Sequence, residues 1–159
     1  MSQRLLESAV VIVVSTSMSD DPFKKTTAKQ INDWLADRGF VISPPIFLPF
    51  GYPLFEVFQQ QLEQGHRIIF TTGGIANHAE DSTPEITAAF LEVHLPKLME
   101  ELRVLETWTS PHAWPTRGVA GFSGSSFVMN LPGSTAGVRN SLSFLDRKLP
   151  QLLEQYEEK

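Results

Sequence analysis

The run AVVIVVST at residues 9–16 is the feature that most constrains how this chain can fold. A strand with one solvent-facing side alternates apolar and polar residues, whereas this run is apolar almost throughout and rich in β-branched side chains. That pattern is typical of a parallel strand buried on both faces. We therefore expect residues 9–16 to form a strand with both faces buried.

Extended and helical patterns alternate after this run. Ile31, Trp34 and Leu35 share one face of a predicted helix that Gly39 is placed to end. Two prolines interrupt the next extended stretch, which suits an edge strand. A β-α-β-α-β order calls for right-handed crossovers and a mainly parallel sheet. The predicted elements of this half are a strand, a helix, an edge strand, a helix and a strand, at residues 9–16, 26–39, 40–50, 53–65 and 67–72.

The second half continues the pattern with three helices and a pair of short strands. A helix is predicted from about Pro84 to Leu91, and Pro96 opens another in which Leu98, Leu102 and Leu105 share a face. No repeat, low-complexity tract or linker interrupts the chain, so residues 1–159 are expected to form a single domain. The remaining predictions are two strands within 117–131 around Ser123-Gly124, a helix capped by Ser134, and a terminal turn that Pro150 starts or kinks.

Composition excludes several classes of protein. With 42% hydrophobic and 19% charged residues, the chain reads as a soluble globular protein, and its longest apolar run is too short to span a bilayer. A net charge of -5 argues against a broad nucleic-acid interface. The absence of cysteine excludes disulfides, thiolate metal sites and thiol nucleophiles, and fits a cytoplasmic protein.

The stretch TTGGIANHAEDSTPEI at residues 71–86 joins a buried strand to a helix. In parallel sheets, ligands bind beyond the carboxyl ends of strands, near helix N-termini that favour anions. Gly73 and Gly74 remove side chains where the strand ends, so a ligand could approach the backbone beside Thr72.

The helix start that follows has two readings. Ser82, Thr83, Pro84 and Glu85 fit a hydroxyl cap, a first-turn proline and an acid near the helix dipole, and Ser82 with Glu85 fits a capping box. A purely structural role for these residues and a ligand-binding role both remain open.

Asp81 lies just before this helix, where its carboxylate could hold Mg²⁺ between phosphate oxygens. His78 and Glu80 stand close by, and the spacing of His78 and Asp81 also suits a transition metal. Three candidate ligands within four loop residues do not define such a site, and solvent exposure or a substrate contact is the alternative for His78.

A second strand-to-helix turn occurs at Leu131-Pro132-Gly133-Ser134. The Gly133 N–H and the Ser134 hydroxyl could bind a phosphate or a carbonyl-rich ring. A capped turn without a ligand explains the local sequence equally well.

Together the motifs TTGG, Asp-x-Thr-Pro-Glu and Leu-Pro-Gly-Ser resemble those of the molybdenum cofactor biosynthesis domain family, which includes MogA/MoaB-like proteins and the amino-terminal domain of gephyrin. The run RGVAGFSGSSFVMNLPGS at 117–134 also resembles the family's Arg-x-x-x-Gly run before Asn-Leu-Pro-Gly-Ser. The resemblance extends over nearly the whole chain.

The resemblance implies a three-layer α/β/α domain with a mostly parallel sheet, assembled into homotrimers or into hexamers made of two trimers. It implies binding of molybdopterin and, in catalytic members, its adenylylation by Mg-ATP with release of pyrophosphate. Asp81 would be the catalytic, metal-linked carboxylate. The residues that would contact the pterin or nucleotide are Thr72, Gly73, Gly74, Thr83, Glu85, Pro132, Gly133 and Ser134.

Four departures from the family pattern fall at ligand-facing loops. Ile75-Ala76 replaces Thr-Gly after TTGG, and Lys25-Thr26-Thr27-Ala28 stands where Asp-x-Ser-Gly is usual. Pro49-Phe50 replaces Pro-Asp, and Pro96-Lys97-Leu98-Met99-Glu100 replaces Pro-Gly-Phe-Gly-Glu. Two of these changes remove a carboxylate, at Lys25 and Phe50, and Asp20, Asp21 or Glu56 could supply the missing charge.

Three functions are therefore open. The chain is a molybdopterin adenylyltransferase with an eroded site, a non-catalytic or repurposed relative that binds a pterin, nucleotide or other phosphorylated ligand, or a trimeric scaffold with a vestigial pocket. For the scaffold, Trp108, Trp114 and Pro111-His112-Ala113 form a candidate interface patch, unless the tryptophans simply cover the sheet.

Overall fold

The computed structural model describes residues 7–15, 22–49, 53–75, 82–109 and 117–156. Seven strands and five helices are described in these ranges. The strands are β1 (Ser8–Val14), β2 (Val41–Ile42), β3 (Ile46–Leu48), β4 (Ile68–Thr72), β5 (Val93–His94), β6 (Ala120–Ser123) and β7 (Ser126–Leu131). The helices are α1 (Pro22–Asp37), α2 (Pro53–Glu63), α3 (Thr83–Phe90), α4 (Pro96–Thr109) and α5 (Thr135–Gln155).

The strands form one sheet in the order β2-β1-β4-β7-β6-β5, and β3 pairs with β1 beside β2. The strands β1, β2, β3, β4 and β7 are parallel, while β6 is antiparallel to β7 and β5 is antiparallel to β6. The mainly parallel sheet, the divided edge strand and the strand pair around Ser123-Gly124 are confirmed. The two-residue strand β5 was not expected, because so short a segment has no periodicity of its own.

Alternate residues of β1 face opposite layers of helices, which confirms that this strand is buried on both faces. Ala9, Val11 and Val13 pack in the cluster that contains residues of α1, α4 and α5. Val10, Ile12 and Val14 pack in a second cluster with Leu54 and Phe58 of α2. The three-layer α/β/α arrangement follows from this division.

Three predicted helix features differ from the structure. The first helix begins at Pro22, four residues earlier than expected, because proline fits the first helical position. In α4, Leu98 and Leu102 are buried but Leu105 is 39% exposed, so the predicted apolar face is only partly covered. The last helix runs through Pro150 to Gln155, so this proline starts no separate turn.

Arg67 holds the last turn of α5, which follows Pro150, in place. This residue precedes β4 and is 6% exposed. Its guanidinium donates hydrogen bonds to the carbonyl oxygens of Leu153 at 2.7 Å and Tyr156 at 3.4 Å, and also to that of Ser125. Carbonyl groups at a helix C-terminus have no partner within the helix, so a buried cation satisfies them well.

Trp108 at the end of α4 is 80% exposed, so it does not cover the sheet. Trp114 and residues 111–113 lie outside the described residues, and the proposed patch around them is untested. Among the helices described, none combines the length and apolar character required to cross a bilayer.

Candidate functional site at the carboxyl edge of the sheet

The neighbouring strands β1, β4 and β7 run parallel, so their carboxyl ends meet at one edge of the sheet. Thr72 of β4 lies opposite Leu131 of β7 in this register. The chain leaves β4 through Gly73-Gly74 and leaves β7 through Pro132-Gly133-Ser134. The two motifs, 60 residues apart in the sequence, are therefore adjacent in the fold.

Two hydrogen bonds join these turns directly. The Thr72 hydroxyl donates to the carbonyl oxygen of Pro132 at 2.5 Å, and the Gly73 N–H donates to the carbonyl oxygen of Leu131 at 3.1 Å. Thr72 is 1% exposed, so its side chain ties the turns together from beneath. Each turn thus supports the position of the other.

Gly73 and Gly74 have left-handed backbone conformations, with φ of +90° and +70°. A Cβ on Gly73 would overlap the carbonyl oxygen of Val14 at the end of β1, and a Cβ on Gly74 would overlap the Thr83 hydroxyl at the start of α3. Packing within the chain therefore requires both glycines. Gly74 and Thr83 are in close proximity, and contact of either with a ligand remains a prediction.

The predicted capping box at α3 is wrong. Ser82 occupies the N-cap position, but its side chain makes no capping hydrogen bond. The Glu85 carboxylate instead accepts a hydrogen bond from the guanidinium of Arg117 at 2.6 Å. Because this ion pair draws Glu85 away from its own helix start, reciprocal capping does not form.

The predicted cap of α5 is confirmed. The Ser134 Oγ accepts a hydrogen bond from the Gly137 N–H at 3.0 Å, and the serine side of the turn is exposed to solvent. Gln30 of α1 donates from its Nε2 to the carbonyl oxygen of Thr135 at 3.1 Å. The start of α5 is thus held against α1, while the Ser134 hydroxyl keeps its own hydrogen to donate.

Replaced residues of three departures from the family pattern lie within the described ranges. Residues 96–100 begin α4, with Leu98 and Met99 buried. Ile75 is 5% exposed, so its side chain enters the interior of the protein. Lys25 lies in α1 and is exposed. Phe50, Ala76, His78, Glu80 and Asp81 lie outside the described residues.

The donors at this edge suit an anionic ligand better than a bare metal ion. The N-termini of α3 and α5 both begin here, and helix starts present backbone N–H groups and a positive dipole end. Within the described ranges, no group of three or more histidine, aspartate or glutamate side chains could hold a metal ion. Magnesium ligation by Asp81, which lies outside these ranges, stays a prediction.

Sequence reasoning missed the contributions of Arg117, Thr87 and Asn130. Arg117 is the first residue of the run that resembles the family, so the motif indicated its position. The sequence did not indicate its pairing with Glu85. Thr87 and Asn130 form one buried hydrogen bond between α3 and β7. A threonine within a helix and an asparagine within a strand show no periodic signal for such a contact.

Comparison with known protein families matches residues 10–152 to the model described as "Probable molybdopterin binding domain". The chain is 30% identical to the molybdenum cofactor biosynthesis bifunctional protein of Synechococcus elongatus over 146 residues, covering 91% of this chain and 46% of that protein. It is 30% identical to the molybdopterin adenylyltransferase of Haemophilus influenzae over 97 residues, covering 60% of this chain and 49% of that protein. The chain therefore spans less than half the length of either relative.

Among solved structures, the molybdopterin biosynthesis Mog protein from Mycobacterium ulcerans aligns with a TM-score of 0.84 and 34% sequence identity. This alignment covers 94% of this chain and 99% of that chain. The family model covers both motifs that meet at the carboxyl edge of the sheet. The chain belongs to the molybdopterin-binding domain family of molybdenum cofactor biosynthesis.

Proposed function

We propose that this protein binds molybdopterin at the carboxyl edge of its sheet, through the terminal phosphate of the pterin. The observation that carries the proposal is the direct hydrogen bonding between the Thr72 and Pro132 turns. It builds one continuous edge from the two motifs, and two helix N-termini begin there. Such an edge favours a phosphorylated ligand.

The described residues suggest how binding would occur. The start of α5 offers the Ser134 hydroxyl and backbone N–H groups to phosphate oxygens, and the start of α3 contributes its positive dipole end. The backbone of Gly73, Gly74 and Gly133 would line the pterin ring, with Thr83 and Glu85 beside it. Arg117, paired with Glu85, places a cation near the same helix start.

The finer proposal is adenylylation of the bound molybdopterin. A phosphate oxygen of molybdopterin attacks the α-phosphorus of ATP, and the bond from that phosphorus to the β-phosphate oxygen breaks to release pyrophosphate. The protein would contribute alignment of the two phosphates and stabilisation of the developing negative charge. Magnesium would neutralise phosphate charge when bound, and Asp81 would hold it.

Binding without catalysis is the second candidate, and the loop replacements favour it. Lys25 stands where the family resemblance implies an acid, and Phe50 replaces another. Ile75 points into the interior and so offers no polar group to a ligand. A site with these changes retains the donors for phosphate but has fewer carboxylates for magnesium.

Titration calorimetry with molybdopterin, followed by a pyrophosphate-release assay with Mg-ATP, separates the candidates. Binding together with pyrophosphate release supports the adenylyltransferase. Binding without release supports the non-catalytic relative. If no heat of binding is measured with molybdopterin, with ATP or with the two combined, the proposed function is overturned. The trimeric scaffold is then the remaining candidate.

We also propose that the protein forms homotrimers, alone or paired into hexamers, through the outer face of α4. Val104, Leu105 and Trp108 are 56%, 39% and 80% exposed on this helix. Val104 and Leu105 line a groove of about 500 Å³ whose opposite wall includes Phe144 and Lys148 of α5. Apolar side chains grouped at a groove are typical of an interaction surface. Light scattering would test this, and a monomer at micromolar concentration would contradict it.

A further inference from the structure

A buried polar network lies directly beneath the proposed ligand edge. Asn130 of β7 is 1% exposed, and its Nδ2 donates to the hydroxyl oxygens of Thr71 at 2.8 Å and Thr87 at 3.0 Å. Thr71 belongs to β4 and Thr87 to α3. A single side chain thus connects two central strands and one helix, and we call Thr71, Thr87 and Asn130 the Asn130 network.

The orientation of the Asn130 amide follows from its surroundings. Its Oδ1 accepts a hydrogen bond from the Val119 N–H at 3.0 Å, and a backbone N–H can only donate. The Nδ2 group must therefore face the two threonines. The Thr87 hydroxyl donates a hydrogen bond to the carbonyl oxygen of Thr83 at 2.7 Å, so its oxygen can accept a hydrogen bond from Asn130. The carboxamide of Asn130 is thus bonded at both ends.

Such a network specifies position more than it adds stability. A buried amide must recover the hydrogen bonds it loses with water, whereas an apolar residue of similar size would pack without that cost. In return, bonds of defined length and direction fix α3 relative to β4 and β7. A shift of the helix by one ångström would break the bond between Asn130 and Thr87.

The Asn130 network lies next to the turns of the proposed site. Thr71 and Asn130 are opposite each other in the sheet, one residue before the joined turns at Thr72 and Leu131. On the helix, Thr87 is bonded to Thr83, whose own hydroxyl lies against Gly74. Movement of α3 would consequently alter the spacing between its N-terminus and the glycine turn.

We infer that Thr87 and Asn130 are positioning residues that set the affinity of the site for molybdopterin without touching the ligand. The inference rests on the proposed function, because it assumes that a pterin phosphate binds between the starts of α3 and α5. The side chains themselves are buried and are bonded to other groups of the protein.

The test compares Thr87→Val with Thr87→Ser in the full chain. Valine keeps the shape of threonine and loses the hydroxyl, whereas serine keeps the hydroxyl. We expect the dissociation constant for molybdopterin to rise about fivefold to tenfold in Thr87→Val, because α3 loses its hydrogen bond to Asn130, and to stay within about twofold of the unmodified protein in Thr87→Ser.

Ile31→Val is the control for a general loss of stability. Ile31 is fully buried in the helix layer on the other face of the sheet from α3, and this change removes one methyl group. It is expected to lower the melting temperature without changing the affinity. Amide hydrogen exchange supplies a second measurement, because Thr87→Val should speed exchange at Gly73 and Gly74 while Ile31→Val should not.

The outcomes are distinct. If the unmodified protein binds no molybdopterin, the proposed function fails and the inference fails with it. If it binds, and Thr87→Val binds equally well or no worse than Ile31→Val, only the inference is overturned. Should Thr87→Val not fold, Thr71→Val removes the other acceptor and is judged by the same criteria. If neither Thr87→Val nor Thr71→Val folds, the network is required for folding and the positioning role is overturned.

Discussion

The Arg117 guanidinium donates to the Glu85 carboxylate at 2.6 Å and so fastens the first turn of α3 to the segment that precedes β6. The side chains are 31% and 63% exposed. An ion pair in this setting contributes little to stability, because water screens it. Glu85 belongs to the same helix turn as Thr83, which lies against Gly74, so we expect the pair to matter more for the proposed ligand edge than for stability.

Glu85→Gln is therefore expected to separate affinity from stability. The free energy of unfolding should fall by less than about 1 kcal/mol, as is usual for exposed pairs. Molybdopterin affinity should fall more than about threefold, a loss of about 0.7 kcal/mol, because a neutral amide at position 85 holds the Arg117 guanidinium less firmly than a carboxylate does. Urea denaturation and calorimetry measure the two effects. Asp33→Asn, which breaks the exposed 2.7 Å pair with Lys29 on α1, is the matched control and should leave affinity unchanged.

Gly73→Ala and Gly124→Ala form a second matched pair. Both glycines have positive φ, +90° and +58°, so each alanine would suffer backbone strain. Only at Gly73 would the added Cβ also overlap a backbone atom, the Val14 carbonyl oxygen. We expect a loss of about 1 kcal/mol for Gly124→Ala and about 3 kcal/mol or more for Gly73→Ala, measured by chemical denaturation. Equal losses would show that the close approach to β1 is unimportant.

The two serines at helix starts should respond differently to replacement by alanine. Ser134 caps α5 through Gly137, so Ser134→Ala should lower the free energy of unfolding by about 1 kcal/mol. Ser82 makes no capping bond in α3, so Ser82→Ala should cost less than about 0.5 kcal/mol. Thermal unfolding of both variants measures the difference. A cost at Ser82 as large as that at Ser134 would mean that the capping box does form.

These serines illustrate what could be predicted from the sequence. The strand of β-branched residues, the helix periodicity and the turn chemistry are local signals, and they predicted a mainly parallel sheet with a strand buried on both faces. The three-layer arrangement was implied by the family resemblance. The cap at Ser134 was also local and was confirmed. The pairing of Glu85 with Arg117 joins residues 32 positions apart, and it displaced a plausible local bond at Ser82. Local chemistry therefore indicated the two turns of the candidate site but not the partners that their side chains contact.

His66 should make stability depend on pH. Its ring is 4% exposed, with Nδ1 at 2.8 Å from the Ser8 hydroxyl and Nε2 at 2.9 Å from the Gln61 carbonyl oxygen. Desolvation by burial lowers its pKa from the ordinary 6.5. Between the lowered pKa and 6.5 the unfolded chain binds more protons than the folded one, so the free energy of unfolding falls as pH drops through this range.

The measurement is urea denaturation at about pH 7.5 and about pH 5.5, on either side of the ordinary histidine pKa. His66→Gln should remove part of the decrease seen in the unmodified protein. His94→Gln, which changes an exposed histidine of β5, is the control and should retain it. An identical decrease in the unmodified protein and in His66→Gln would place the titrating group elsewhere.

Asp81→Asn tests the catalytic prediction. If Asp81 holds magnesium, this change should abolish pyrophosphate release, leave the free energy of unfolding within about 0.5 kcal/mol, and preserve the oligomeric state. Pyrophosphate assays, denaturation and light scattering give the three readouts. Unfolding of the variant would instead identify Asp81 as a structural residue at the start of α3.

The sheet described above ends on short strands at both sides. At one side β2 contributes two residues and β3 three, separated by a segment with Pro44 and Pro45, and at the other side β5 contributes two residues. Long, regular edges invite pairing with strands of other molecules, which leads to aggregation. Here an incoming strand would find few consecutive backbone groups to pair with. The described strands thus disfavour fibre-like growth from the sheet edges, which is compatible with the proposed assembly through the outer face of α4.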